Sequence, residues 1–103
     1  MTKLRNLAKV IRSKNAGALL LTLDIIFDDE KIYKNVCDSK VLTPRRFAAL
    51  YNVSDNEVAV ILFDVALAIK ITLPRAIPAG SPGDSDVYGA QQHAPLMDIE
   101  IPT

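Results

Sequence analysis

The chain has 103 residues, half of them hydrophobic, with twelve basic and twelve acidic side chains in balance. That length implies one domain, residues 1–103, able to bury roughly two thirds of its extended surface. Zero net charge gives no global reason for a nucleic-acid or membrane partner, the single cysteine, Cys37, rules out an internal disulfide, and the longest apolar run, VAVILFDVALAI, is interrupted by Asp64 and too short to span a bilayer.

The N-terminal stretch TKLRNLAKVIRSK places Leu4, Leu7, Ala8 and Ile11 at helical spacing, with Thr2 as N-cap and Asn15, Ala16 and Gly17 as a stop. It reads as an amphipathic helix packed on the core. RSKNAG then puts cations at the helix C-terminus, where they complement its dipole. The alternative for Arg12 and Lys14, with Asn15, is recognition of a carboxylate or phosphate. No continuous apolar signal core follows the basic residues, and a soluble cytoplasmic chain is expected, as a lone cysteine also suggests.

ALLLTLDIIFDD reads as a strand. Leu19, Leu21, Leu23 and Ile25 share one face, and Leu20, Thr22, Asp24 and Ile26 the other. Both faces are largely apolar, so it belongs in the middle of a sheet, and Asp24 needs a partner or an edge. DEKIYKNVCDS predicts a short helix with acids at its N-terminus and Ile32, Tyr33 and Val36 inward. Cys37 lies on that helix as a packing residue.

TPRRFAALYNV predicts a second helix, with Thr43 as N-cap, Pro44 at the first position and Phe47, Leu50 and Tyr51 buried; Asn52 ends it. Ser54 and Glu57 have the spacing of a capping box. Val58 to Phe63 then reads as a strand, Asp64 and Val65 as a turn, and ALAIKITLP as the returning strand of a hairpin. Ala68, Lys70 and Thr72 share one face of that strand, and Leu67, Ile69, Ile71 and Leu73 the other. LMDIEIP, bracketed by Pro95 and Pro102, predicts a last, half-exposed strand. The grouping predicts an α+β fold: a mainly antiparallel sheet of about four strands with helices packed on one face.

Residues 74–95 form a long loop in this reading, and a loop of that length in a small domain is commonly functional. SPGD at Ser81–Asp84 is a turn signature. Backbone amides around Ser81 and Gly83 suit an anion-binding nest, with Arg75, Arg12, Lys14 and Asn15 as further anion-binding candidates. Asp84, Asp86, Tyr88 and His93 are the acid–base candidates. Asp84, Asp86 and His93 are also metal-ligand types, but their spacing fixes no coordination geometry, and no metal is expected. His93 also suits a purely structural role, fastening the loop by hydrogen bonds. Gln91 and Gln92 are interface candidates. No cofactor is indicated.

Charge is segregated along the chain. Lys3, Arg5, Lys9, Arg12 and Lys14 precede the first acid, Asp24, whereas Asp84, Asp86, Asp98 and Glu100 lie in a tail without Lys or Arg. The basic head can dock the acidic tail within one chain or between two, bind an anionic ligand, or form an unrelated solvated face.

Two stretches, LAKVIRSKNAG with the following LLTLDIIFDD, and ALAIKITLPR with the later AGSPGDSDVYGAQQHAPLMDIEIP, resemble a small family of unknown function. Its members are separate chains beside, or fused to the C-terminus of, AtuA-like proteins of acyclic terpene utilisation. The resemblance covers essentially the whole chain, and Gly80–Pro95 is its most specific part. One departure is Val65 after Asp64, where the family often has proline. The resemblance supplies no catalytic residues. It implies an accessory subunit for an AtuA-like large protein in catabolism of branched or hydroxy carboxylic acids or their acyl-CoA esters. Two other readings stand beside it: a contributor of acid–base residues to a shared hydratase- or lyase-type site, and a self-contained homo-oligomeric anion-binding module.

Overall fold

The computed structural model describes residues 1–16, 19–74 and 96–102. Its centre is a four-stranded antiparallel sheet in the order β2 (Val10–Asn15), β3 (Leu20–Ile26), β5 (Ala68–Pro74), β4 (Ala59–Phe63). Helices α2 (Glu30–Ser39) and α3 (Pro44–Tyr51) supply Tyr33, Val36, Phe47 and Ala48 to the same core as the strands. The chain therefore has the α+β architecture its patterning implies.

The sheet forms because β3 and β5 each carry apolar residues at period two. Leu21, Leu23 and Ile25 are buried, and directly opposite them stand Leu73, Ile71 and Ile69, also buried. Such cross-strand pairs are the unit of sheet stabilisation. The outer face of β5 carries Ala68, Lys70 and Thr72, only partly covered. The hairpin joining β4 to β5 closes through a 3-10 turn at Asp64–Ala66, and Leu67 follows with φ 51°. The left-handed region costs a non-glycine residue about 1 kcal/mol; here the Leu67 carbonyl accepts a 2.8 Å hydrogen bond from the Phe27 amide.

The N-terminal segment departs from its helical reading. Only Leu4–Leu7 is helical (α1), and Val10–Asn15 is an edge strand paired with β3. The pairing with β3 also serves Asp24. As a strand, β2 sets Arg12 directly opposite Asp24, and the guanidinium Nε donates to the carboxylate at 3.2 Å. On its other side Asp24 faces Lys70 of β5. A helix would have withdrawn Arg12 and left the carboxylate in mid-sheet with one cation fewer. Ile11 and Ser13 turn inward, and Arg12 and Lys14 remain exposed.

The helix ends follow local chemistry. The Asp29 carboxylate accepts from the Lys31 and Ile32 amides at the start of α2, and Lys40 closes it in the left-handed region. Thr43 caps α3 through the Arg46 amide, Pro44 is in its first turn, and Asn52 ends it with φ 56°. Leu50 is not in the buried stripe; Ala48 takes that place beside Phe47, with Tyr51 half-buried. The Glu57 carboxylate accepts from the Ser54 amide at 3.1 Å, completing the capping box over a 3-10 turn, Asp55–Glu57.

The last strand is shorter than its alternation suggests. Only Glu100–Ile101 (β6) is extended, pairing with β1 (Thr2–Lys3) in a separate two-stranded sheet. The Leu4 amide donates to the Ile99 carbonyl at 2.7 Å, and the Arg5 amide to Met97 at 3.2 Å. Lys3 and Arg5 both lie 3.6 Å from the Asp98 carboxylate, so part of the basic head docks the acidic tail within one chain. These ion pairs are exposed and each is worth at most ~1 kcal/mol; the buried side chains Leu4, Leu96, Ile99 and Ile101 hold the junction.

Leu23→Ala and Ile71→Ala are each expected to cost about 2–5 kcal/mol, and Thr43→Ala about 1 kcal/mol, measured by urea unfolding. Arg12→Ala should cost under ~1 kcal/mol, because its guanidinium is largely exposed.

Candidate functional site

Nine of the candidates named from sequence, Arg75, Ser81, Gly83, Asp84, Asp86, Tyr88, Gln91, Gln92 and His93, lie outside the described residues. The remaining three fall on β2. Arg12 and Lys14 project from the outer face of an edge strand rather than closing a helix, so they do not complement a helix dipole. Arg12 is engaged by Asp24, and Lys14 stands opposite Thr22. Asn15 is the last residue of the strand.

A site that sequence reasoning did not assemble lies where α2 passes the β4–β5 turn. The Tyr33 hydroxyl donates to Asp64 Oδ1 at 2.7 Å, across 31 positions of sequence. Cys37, one helical turn beyond Tyr33, faces the same cleft of about 300 Å³, with Leu62 and Leu67 as apolar walls and Glu30, Lys34 and Asp38 at its rim. The ring of Phe27 meets that of Tyr33 edge-on, with centroids 5.8 Å apart at 65°. Phe27 thus sets the ring from behind and Asp64 fixes its hydroxyl.

Burial pushes the Tyr33 phenol well above its ordinary range, and the hydrogen bond to Asp64 adds to the shift. Burial also pushes up the Cys37 thiol; its contact with the Tyr33 hydroxyl opposes this, and the Asp64 and Asp38 charges reinforce it. At neutral pH the phenol and the thiol are therefore held protonated, and the phenol's one proton is already given to Asp64. The thiolate is the reactive form of cysteine, so covalent catalysis by Cys37 is disfavoured. What the pair leaves open is acceptor capacity, on the phenol oxygen and the Asp64 oxygens, beside an apolar wall.

A second depression of about 290 Å³ adjoins the first, sharing Cys37 and Leu62 with it. Val36, Leu42, Pro44, Val60 and Ile69 make it apolar, with Lys40 at its side. The two form one trough between the helices and β4, polar at Tyr33–Asp64 and apolar beyond. Farther along, Lys40, Thr43, Arg45 and Arg46 line a shallow basic hollow. No three potential metal ligands converge among the described residues, and no helix among them is long and apolar enough to cross a membrane.

A four-stranded antiparallel sheet, helices on its inner face and an open trough along one edge define a small α+β domain. Residues 4–100 match the family described as Domain of unknown function (DUF4387), and the chain belongs to that family. Comparison with curated proteins and with solved structures found no match.

The Tyr33–Cys37 spacing was visible on one helix face; Asp64 carried no signal beyond its place in a turn. Tyr33→Phe is expected to cost about 1–2 kcal/mol, with Asp64→Ala non-additive to it in a double-mutant cycle. Cys37 should react with iodoacetamide at pH 8 several-fold more slowly than an unfolded cysteine peptide.

The pH dependence has a definite sign. Burial raises Tyr33 and Tyr51 above the unfolded value when folded, so the folded chain keeps protons that the unfolded chain loses. Stability from these groups is complete below about pH 10 and falls as pH rises toward the folded values. Urea titrations above about pH 10 should show that fall, and Tyr33→Phe should make it shallower.

Proposed function

We propose that the chain is a small accessory subunit that works with a larger AtuA-like protein in the catabolism of branched or hydroxy carboxylic acids or their acyl-CoA esters. The observation that carries this reading is the cleft at Tyr33–Asp64. It is small and open, and its phenol and thiol are held protonated, which suits binding and docking better than independent catalysis. The family resemblance in the sequence supports the choice of partner. In this proposal residues 78–95 and the last strand dock the larger protein, with Gln91 and Gln92 at the interface. Co-expression with an AtuA-like protein should yield a stoichiometric heteromer by light scattering. Two separate species would refute the subunit role.

A second reading is favoured by the Tyr33–Asp64 pair, a polar contact fixed at the mouth of an apolar trough. Here the chain adds residues to a shared hydratase- or lyase-type site. Asp84, Asp86, Tyr88 and His93 act on protons, and Arg75 holds the anionic part of the substrate; Arg12 and Lys14, named with it from the sequence, stand on the outer face of β2, at the opposite edge of the sheet from β4. His93→Ala and Asp84→Asn in the reconstituted complex separate the two readings. Lost turnover with assembly intact supports the shared site; lost assembly supports docking alone.

A further inference from the structure

The strongest anomaly of the surface is β4. Among the described residues it is an edge strand, paired with β5 on one side only, and its sequence, Ala59-Val60-Ile61-Leu62-Phe63, contains no charge and no proline. Edge strands ordinarily carry such protection, because an unpaired row of amides and carbonyls is a template for another strand. The opposite edge, β2, has it in exposed Arg12 and Lys14. Along β4 and its turn, Ile61 is 46%, Leu62 51%, Phe63 46% and Val65 104% exposed. Both faces of the strand are involved, Ile61 and Phe63 outside and Leu62 inside, which a partner covering a single face would not satisfy.

We infer that β4 pairs with β4 of a second copy of this chain, antiparallel about a two-fold axis at Ile61. The sequence of the strand points to that occupant. With Ile61 on the axis, Ala59 lies opposite the partner's Phe63 and Val60 opposite the partner's Leu62, so each large side chain meets a small or β-branched one. This is the one two-fold register that pairs all five residues. Centring on Val60 would set Phe63 against the partner's Glu57, and centring on Leu62 would set Val60 against the partner's Asp64. A closed two-fold contact uses the same patch on both chains, as a strand complementary to itself does. The exposed side chains offer on the order of 400 Å² of apolar surface per chain. Doubled and joined by the strand backbones, this comes to on the order of 1,000 Å², the size of a weak, reversible interface.

The pairing joins two four-stranded sheets into one continuous sheet. It also completes the trough, because Leu62 lines both of its depressions and stands beside the partner's Val60. The inference does not rest on the accessory-subunit reading, since a homodimer can act alone or within a larger assembly.

Sedimentation velocity on the purified chain alone provides the test. Twice the chain mass is expected at about 100 μM, with dissociation on dilution toward about 1 μM. Ile61→Lys should be monomeric with unchanged circular dichroism and cooperative urea unfolding, and Ile61→Val should remain dimeric. A native chain that is monomeric throughout would overturn the inference, as would a folded Ile61→Lys chain that still dimerises. If Ile61→Lys does not fold, amide exchange of the native chain decides. Protection of the Ala59–Phe63 amides that rises with concentration supports pairing; protection independent of concentration refutes it. Protection of those amides only when a larger protein is added would assign the edge to that protein and refute the second copy.

Discussion

Three cross-strand pairs, Leu21 with Leu73, Leu23 with Ile71 and Ile25 with Ile69, hold the centre of the molecule. All six side chains are almost completely buried, and each contributes about 1.5–3 kcal/mol relative to exposure. They lie on one face of β3 and β5, so that face must be covered, and Tyr33, Val36 and Phe47 are the side chains that α2 and α3 bring to it. A slip of one residue in this register would move all three residues of a strand to the opposite face. The placement of both helices, and of the trough beside them, depends on this pairing.

Electrostatics choose among the ways of completing that sheet. Asp24 sits in the central strand, where an unpaired carboxylate would be costly. It is flanked by Arg12 on one side and Lys70 on the other. The ion pair itself stabilises the fold only modestly, but the alternative, a carboxylate in mid-sheet deprived of a neighbouring cation, is worse. That asymmetry favours a strand for the segment after α1, where Ser13 is also buried. It also occupies Arg12, and any anion bound at β2 would compete with Asp24 for it.

Much of the fold was legible because local chemistry and tertiary packing agree. Thr43-Pro44 and Asn52 mark the ends of α3, Ser54 and Glu57 form their box, and the alternation in Ala68–Pro74 sorts inside from outside. The N-terminus misled because Leu4, Leu7, Ala8 and Ile11 fit a helix while the alternation of Ile11, Ser13 and Asn15 fits a strand; pairing with β3, a contact distant in sequence, decides between them. Leu50 and Ala48 exchanged places because a stripe at period 3.6 fixes a face only to within about one residue. Of the cleft, only the Tyr33–Cys37 spacing along one helix face was legible. Tyr33 and Asp64 meet only because the hairpin turn comes to rest against α2, and nothing near either residue announces the other.

The pairing of Thr2 with Ile101 gives the domain a single point of attachment. Partner residues in an antiparallel ladder stand about 5 Å apart, so polypeptide continuing from either side leaves from one place on the surface, at the same end of the ladder. A domain connected in this way can be carried at the end of a longer chain, or lodged in one of its loops, without stretching its host. Mechanically the same junction is a clasp: tension between the two ends loads the short β1–β6 ladder and the Leu4–Ile99 hydrogen bond before it reaches the sheet.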